Sequence, residues 1–217
     1  MPALGLVIFD CDGVLVDSEP IATRVLQSVL GEAGLALSLE ETEARFMGRS
    51  RQATIEIVER EIGRALGDEF VAGWQARVFD GFRQELRPVP GIAAALDRLT
   101  TPMCVASGSD PARIRLSLEL TGLLARFEGR IFSAADVAHG KPAPDLFLLA
   151  ARTMGTAPEA CAVVEDSLPG VQAAVAAGMP VWGYAARTPA TLLAKAGAQV
   201  FDDMARLPDL LAEAGGA

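Results

Sequence analysis

Two aspartates one residue apart, Asp10 and Asp12, close an apolar run in the segment Phe9-Asp10-Cys11-Asp12-Gly13-Val14-Leu15-Val16-Asp17-Ser18. In an extended chain the side chains at i and i+2 point the same way, so both carboxylates meet on one side. Their repulsion needs a cation or a shared proton to relieve it, which implies a metal site or an acid/base pair. Gly13 then lets the backbone turn sharply away. An Asp-x-Asp-Gly run can also open a Ca2+ loop, but Val14 and Val16 stand where such a loop needs oxygen donors.

Three further polar clusters follow apolar runs. They are Ser107-Gly108-Ser109, the segment His139-Gly140-Lys141-Pro142-Ala143-Pro144-Asp145, and Glu165-Asp166. Taken singly, Ser107 reads as a turn residue, Lys141 as a surface lysine and Glu165-Asp166 as an acidic pair at a helix start. Their order along the chain, each at the end of a strand-like run, is what points to catalysis. In a doubly wound parallel sheet, ligands bind beyond the carboxyl ends of the strands. A site gathered there holds four carboxylates, one ammonium, one hydroxyl and free backbone amides.

The elements that would position these clusters are legible as alternating patterns. Short apolar, β-rich runs at residues 4–9, 102–107, 130–132, 161–165, 180–184 and 199–201 are separated by helical patterns. Strands alternating with helices predict an α/β fold, a Rossmann-like doubly wound parallel sheet. Asp110 before Pro111, and Ser167 before a helix expected over residues 172–177, carry N-cap signals. Gly91 opens another helix, over residues 92–99. Between residues 20 and 87 the alternation stops. Ile21-Val25-Leu26-Val29-Leu30, Ile55-Val58-Ile62 and Phe70-Trp74-Val78-Phe82 form apolar stripes at helical spacing. The chain therefore divides into a catalytic core, residues 1–16 and 88–217, and an inserted all-helical cap, residues 17–87.

The bulk properties exclude several classes. With 217 residues the chain can bury one core and a smaller appended domain. Nineteen Lys+Arg against 28 Asp+Glu, a net charge of −9, leave no basic stripe for a nucleic-acid backbone. Cys11, Cys104 and Cys161 are odd in number and lie in apolar runs, as buried free thiols do. The N-terminal run lacks a basic region and stops at Asp10, unlike a signal peptide. The longest apolar tract, residues 171–186, contains Gln172, Gly178 and Pro180 and is too short to span a bilayer. The expectation is a soluble, cytoplasmic monomer.

The motif Asp10-x-Asp12-Gly13-Val14-Leu15-x-Asp17-Ser18, followed in order by Ser107, Lys141 and Glu165-Asp166, resembles the haloacid dehalogenase (HAD) superfamily of aspartate-nucleophile hydrolases. The helical insertion after the first strand is similar to the branch that includes phosphoglycolate phosphatases and β-phosphoglucomutase. Within it, the runs Phe9 to Gly13, Pro102-Met103-Cys104-Val105 and Leu207-Pro208-Asp209-Leu210 most resemble the 6-phosphogluconate phosphatase type. The resemblance implies a phosphoric monoester hydrolase whose substrate is a small phosphate ester. Asp10 would attack phosphorus and form an aspartyl-phosphate. Asp12 would protonate the leaving alkoxide and then take a proton from water. It implies Mg2+ at Asp10, the Asp12 carbonyl, Asp166 and Glu165. Lys141 would supply positive charge, and Ser107 with the Gly108 amide would cradle the phosphoryl group. In the cap, Gly48-Arg49-Ser50-Arg51 resembles a substrate-specificity loop, with Arg51 suited to a carboxylate or second phosphate.

Three other functions are weighed. A phosphosugar mutase of the β-phosphoglucomutase type would use the same aspartyl-phosphate. Those enzymes typically carry a histidine in the first cap helix where this chain has Ala22. A metal-free dehalogenase would lack Asp12 and the Glu165-Asp166 pair, which are present. A non-catalytic binding protein on the same fold would lack a catalytic carboxylate, and none is missing. His139, the lone histidine, is expected in a surface loop, and Trp74 and Trp182 in cores.

Overall fold

The computed structural model describes residues 3–46, 49 and 51–215. It divides into two compact units, Met1–Asp17 with Arg87–Ala217 and Ser18–Leu86. Strand β1 (Leu6–Phe9) leads into the helical unit, α1 (Glu19–Ala33), α2 (Leu39–Phe46), α3 (Arg51–Ile62) and α4 (Asp68–Glu85). The chain returns through α5 (Ile92–Arg98), β2 (Met103–Ser107), α6 (Pro111–Leu120), α7 (Leu124–Phe127) and β3 (Ile131–Ser133). It finishes with α8 (Asp145–Thr153), β4 (Cys161–Glu165), α9 (Leu168–Ala176), β5 (Val181–Tyr184), α10 (Ala190–Lys195), β6 (Gln199–Phe201) and α11 (Leu207–Gly215).

Among the described residues, six strands form one all-parallel sheet in the order β3-β2-β1-β4-β5-β6. Sequence order reverses on either side of β1, so β1 lies between β2 and β4. Every residue of β1 and β4 is buried, as strands covered on both faces must be. One face presents Leu6, Ile8, Cys104, Ala106, Val163 and Val181 to Leu146 and Phe147 of α8, Val171 and Ala174 of α9 and Leu193 of α10. On the other face Phe9 packs edge-on against Phe127 of α7, with ring centroids 6.2 Å apart.

The helical unit has its own core, in which Leu26, Val29 and Leu30 of α1 meet Phe46, Val58 and Leu66. Trp74 packs against this cluster, while Trp182 is fully buried in the sheet unit. Helix α2 was not marked by an apolar stripe because only Thr42 and Phe46 are buried along it. Helix α9 begins at Leu168, four residues before the expected start, because Pro169 and Gly170 hide its first turn. No helix among the described residues is long and apolar enough to cross a membrane.

The cysteines are buried and free. Burial pushes the Cys104 thiol up to about 12 and that of Cys161 up to about 11. Cys11 is raised well above the ordinary thiol range, by burial first and then by the charges of Asp12 and Asp10. Because thiolate is the reactive form, all three should resist a thiol-specific reagent at about pH 8 and react once denaturant is added. Counting modified thiols by mass checks this; rapid labelling of the folded protein would contradict the packing.

Candidate active site

The strand order brings three of the four polar clusters to neighbouring strand ends. Asp10 follows β1, Ser107 ends β2 and Glu165 ends β4, and β1 pairs with both of the others. The Asp10 backbone N–H donates to the Val164 carbonyl at 3.0 Å, fixing the start of the Asp10 loop on β4. Gly13 N–H then donates to the Val16 carbonyl at 2.8 Å, and Leu15 N–H to the Cys11 carbonyl at 2.9 Å. Gly13 takes φ +80°, where a side chain would be strained, and a Cβ there would lie 2.0 Å from Asp166 Oδ2. The Asp166 carboxylate thus sits directly against the Asp10 to Asp12 turn.

Lys141 holds the centre. Its Nζ donates to Asp10 Oδ1 at 2.5 Å, Glu165 Oε1 at 2.5 Å and the Ala106 carbonyl at 3.1 Å. Three acceptors satisfy the three protons of an ammonium. The group also lies 4.8 Å from the centroid of the Phe147 ring. Glu165 is fully buried, and its second oxygen accepts from the Asp166 N–H, the Ser167 N–H and the Ser167 hydroxyl at 3.0, 2.9 and 2.9 Å. Ser167 Oγ in turn accepts from the Gly170 N–H at 3.1 Å as the N-cap of α9.

Asp12 is held from the β2–α6 connection and the first turn of α6. Ser109 Oγ donates to its Oδ2 at 2.6 Å and Arg113 Nη2 to its Oδ1 at 2.9 Å. Ser109 is fixed in turn: its N–H donates to Ser107 Oγ at 3.2 Å and its carbonyl accepts from Ser133 Oγ at 2.7 Å. The Asp110 N-cap accepts from the Arg113 N–H at 3.0 Å.

The electrostatics follow from burial and charge count. Burial pushes the Asp10 carboxyl up to about 8, opposed by the Lys141 ammonium and reinforced by Glu165 and Asp12. Burial alone would lower Lys141, but the carboxylates of Asp10 and Glu165 outweigh it and hold its pKa above the ordinary lysine range. Four carboxylates, Asp10, Asp12, Glu165 and Asp166, face the two paired cations Lys141 and Arg113. No three His, Cys, Asp or Glu side chains among these residues are gathered closely enough to hold a metal by themselves.

Asp10, Asp12, Ser107, Lys141, Glu165 and Asp166 thus meet in one place, with Gly108 exposed at the end of β2. Arg49 and Arg51 belong to the helical unit, where Arg49 Nε donates to the Arg45 carbonyl at 2.7 Å and Arg51 Nη1 to Gln75 Oε1 at 3.1 Å. Gly48 and Ser50 lie outside the described residues. His139 is exposed and faces Asp145 at 3.1 Å. Arg113 and Gly170 were not singled out in the sequence, although both carry a signal. An arginine in the first turn of a helix opposes the helix dipole and calls for an anionic partner. A glycine inside a helix costs roughly 1 kcal/mol relative to alanine and calls for a close neighbour.

Comparison with known proteins identifies the class. A haloacid dehalogenase-like hydrolase family model matches residues 4–178. A 6-phosphogluconate phosphatase of Escherichia coli is 34% identical over 97% of this chain and 96% of that protein. A fructose-1-phosphate phosphatase of the same organism is 35% identical over 80% of this chain and 92% of its own. A crystal structure of a HAD family hydrolase from Deinococcus radiodurans, with bound phosphate and sodium, superposes with a TM-score of 0.80. It is 34% identical, over 99% of this chain and 97% of that one. The chain belongs to the haloacid dehalogenase-like hydrolases and is a phosphoric monoester hydrolase.

A Cβ at Gly170 would lie 1.8 Å from Glu165 Oε1, in a place with no room to yield. Gly170→Ala should cost about 1–3 kcal/mol in urea unfolding by overpacking, and should lower activity by displacing Glu165 from Lys141. Unchanged stability and activity would contradict the close approach.

Proposed function

We propose that this chain is a Mg2+-dependent phosphatase that hydrolyses a small sugar phosphate or sugar-acid phosphate through an aspartyl-phosphate on Asp10. The observation that carries the reading is the buried Lys141 ammonium shared by Asp10 and Glu165, with the Asp166 carboxylate packed against the turn that carries Asp10 and Asp12. A phosphate ester adds still more negative charge, so the site needs a divalent cation to receive one. Its donors are all oxygens, the preference of Mg2+, which keeps several waters and takes few protein ligands. The carboxylates of Asp10 and Asp166 and the Asp12 carbonyl are the residues assigned to hold it. Both oxygens of Glu165 already accept from protein donors, so we assign Glu165 to fixing Lys141. When bound, Mg2+ offsets charge on the phosphoryl oxygens and on Asp10.

Lys141 holds Asp10 Oδ1, which leaves Oδ2 to attack phosphorus. Ser107 and the Gly108 N–H are assigned to the phosphoryl oxygens. Asp12 gives its proton to the departing alkoxide and later takes one from the water that attacks the phosphoenzyme, the reversal of one general acid/base. Selection of the organic part is assigned to the helical unit, with Arg51 taking a distal carboxylate or second phosphate. The two Escherichia coli relatives, named for a sugar-acid phosphate and a sugar phosphate, support that substrate class.

Phosphate release across a panel of sugar phosphates, sugar-acid phosphates and phosphoglycolate is the test. Turnover should vanish with EDTA and return with Mg2+. Asp10→Asn should fall by on the order of 10⁴-fold or more, as loss of a nucleophile does. Arg51→Ala should flatten the preference within the panel. Metal-independent turnover or an active Asp10→Asn enzyme would refute the mechanism, isomerisation exceeding hydrolysis would make it a mutase, and an unchanged profile would remove Arg51 from selection.

A further inference from the structure

We propose that Arg113 is a positioning residue for proton transfer: with Ser109 it clamps Asp12 and determines which carboxylate oxygen carries the proton. The inference rests on Asp12 being the general acid/base, as above, and extends it to a residue outside the four clusters.

The clamp is built from two different donors. Arg113 Nη2 reaches Asp12 Oδ1 at 2.9 Å and Ser109 Oγ reaches Oδ2 at 2.6 Å, so each oxygen has its own partner. Both side chains are largely shielded, with relative exposures of 22% for Arg113 and 15% for Asp12, where an ion pair is screened less than at the surface. The clamp itself cannot drift. Ser109 is tied to Ser107 and Ser133, and the backbone of Arg113 is tied to its N-cap Asp110. An aspartate on a turn has two free torsions, so without such partners its carboxyl would spread over several rotamers.

The two partners are not equivalent. A guanidinium has five donors and no acceptor, so the oxygen that faces it cannot bear a hydrogen directed at it. A serine hydroxyl donates to a carboxylate and accepts from a carboxylic acid by rotating about its C–O bond. Oδ1 is thus a permanent acceptor, and Oδ2 is the oxygen that exchanges the proton. In the first half-reaction the Asp10–phosphorus bond forms, the ester P–O bond breaks, and the Oδ2 proton passes to the departing alkoxide. In the second half, Oδ2 takes a proton from water as its oxygen bonds to phosphorus and the Asp10–phosphorus bond breaks. The ester is hydrolysed to alcohol and phosphate, and Asp12 ends as it began.

The test compares leaving groups. An alkoxide needs the proton as it leaves, whereas p-nitrophenolate departs as a stable anion. The ratio kcat/KM reports the steps up to formation of the phosphoenzyme, where this difference is felt. Arg113→Met keeps the apolar stem and removes every donor. It should lower kcat/KM about 10- to 100-fold for the best alkyl phosphate of the panel, within the contribution of general acid catalysis. For p-nitrophenyl phosphate the loss should stay within a few-fold. Arg113→Lys, which restores one donor, should recover part of the alkyl loss. Equal losses on both esters, or no loss, in folded Arg113→Met would overturn the proposal. If that variant fails to fold, Ser109→Ala carries the same comparison with the same two readings. Asp12→Asn separates the premise from the inference. If it lacks the leaving-group pattern, the general acid assignment falls; if it shows the pattern and Arg113→Met does not, only the clamp falls.

Discussion

A single ammonium shared between two buried carboxylates governs the architecture of this protein's site. Lys141 gives its three protons to Asp10, Glu165 and the Ala106 carbonyl, so it joins the ends of β1, β2 and β4 through one nitrogen. Removing such charges from water is expensive, and the arrangement is tolerable because all three Lys141 protons and both Glu165 oxygens find partners. Glu165 illustrates the demand, for its four donors come from two residues just before α9, Asp166 and Ser167, and from Lys141 itself. The Asp166 carboxylate lies against the turn that carries Asp10, and it is there that we propose a cation binds.

The sheet order makes this convergence unavoidable. With β1 between β2 and β4, residues that follow those strands must emerge side by side at the carboxyl edge, although Asp10 and Glu165 are far apart in sequence. Two glycines then set the fine distances. Gly13 lets Asp166 lie against the turn between Asp10 and Asp12, and Gly170 lets the Glu165 carboxylate lie against α9. Neither carboxylate could take its place beside a methyl group.

Much of this was legible in the chain because the chemistry-bearing residues sit at the ends of short, uninterrupted apolar runs. Cys161 to Glu165 was bounded to the residue, since a fully buried parallel strand has no polar interruption until it reaches the site. The helical stripes of α1, α3 and α4 were equally plain. What the residue pattern could not supply was partnership. Glu165 read as a metal donor because its type suits Mg2+, yet one of its oxygens accepts from the distant Lys141 and the other from its neighbours Asp166 and Ser167. Arg113 was not singled out, because its partner Asp12 lies at a distant strand end. The scarcity of buried apolar residues in α2 and the proline and glycine at the start of α9 obscured those elements for local reasons.

The central claim is that Asp10, Asp166 and the Asp12 carbonyl supply a cation's ligands. Calorimetric titration with Mg2+, on the wild-type chain and on Asp166→Asn, measures this most directly. The account predicts one saturable Mg2+ site per chain in the wild type, weakened at least about tenfold in Asp166→Asn by loss of a charged oxygen donor. No saturable Mg2+ binding, or binding of full strength in Asp166→Asn, would contradict it.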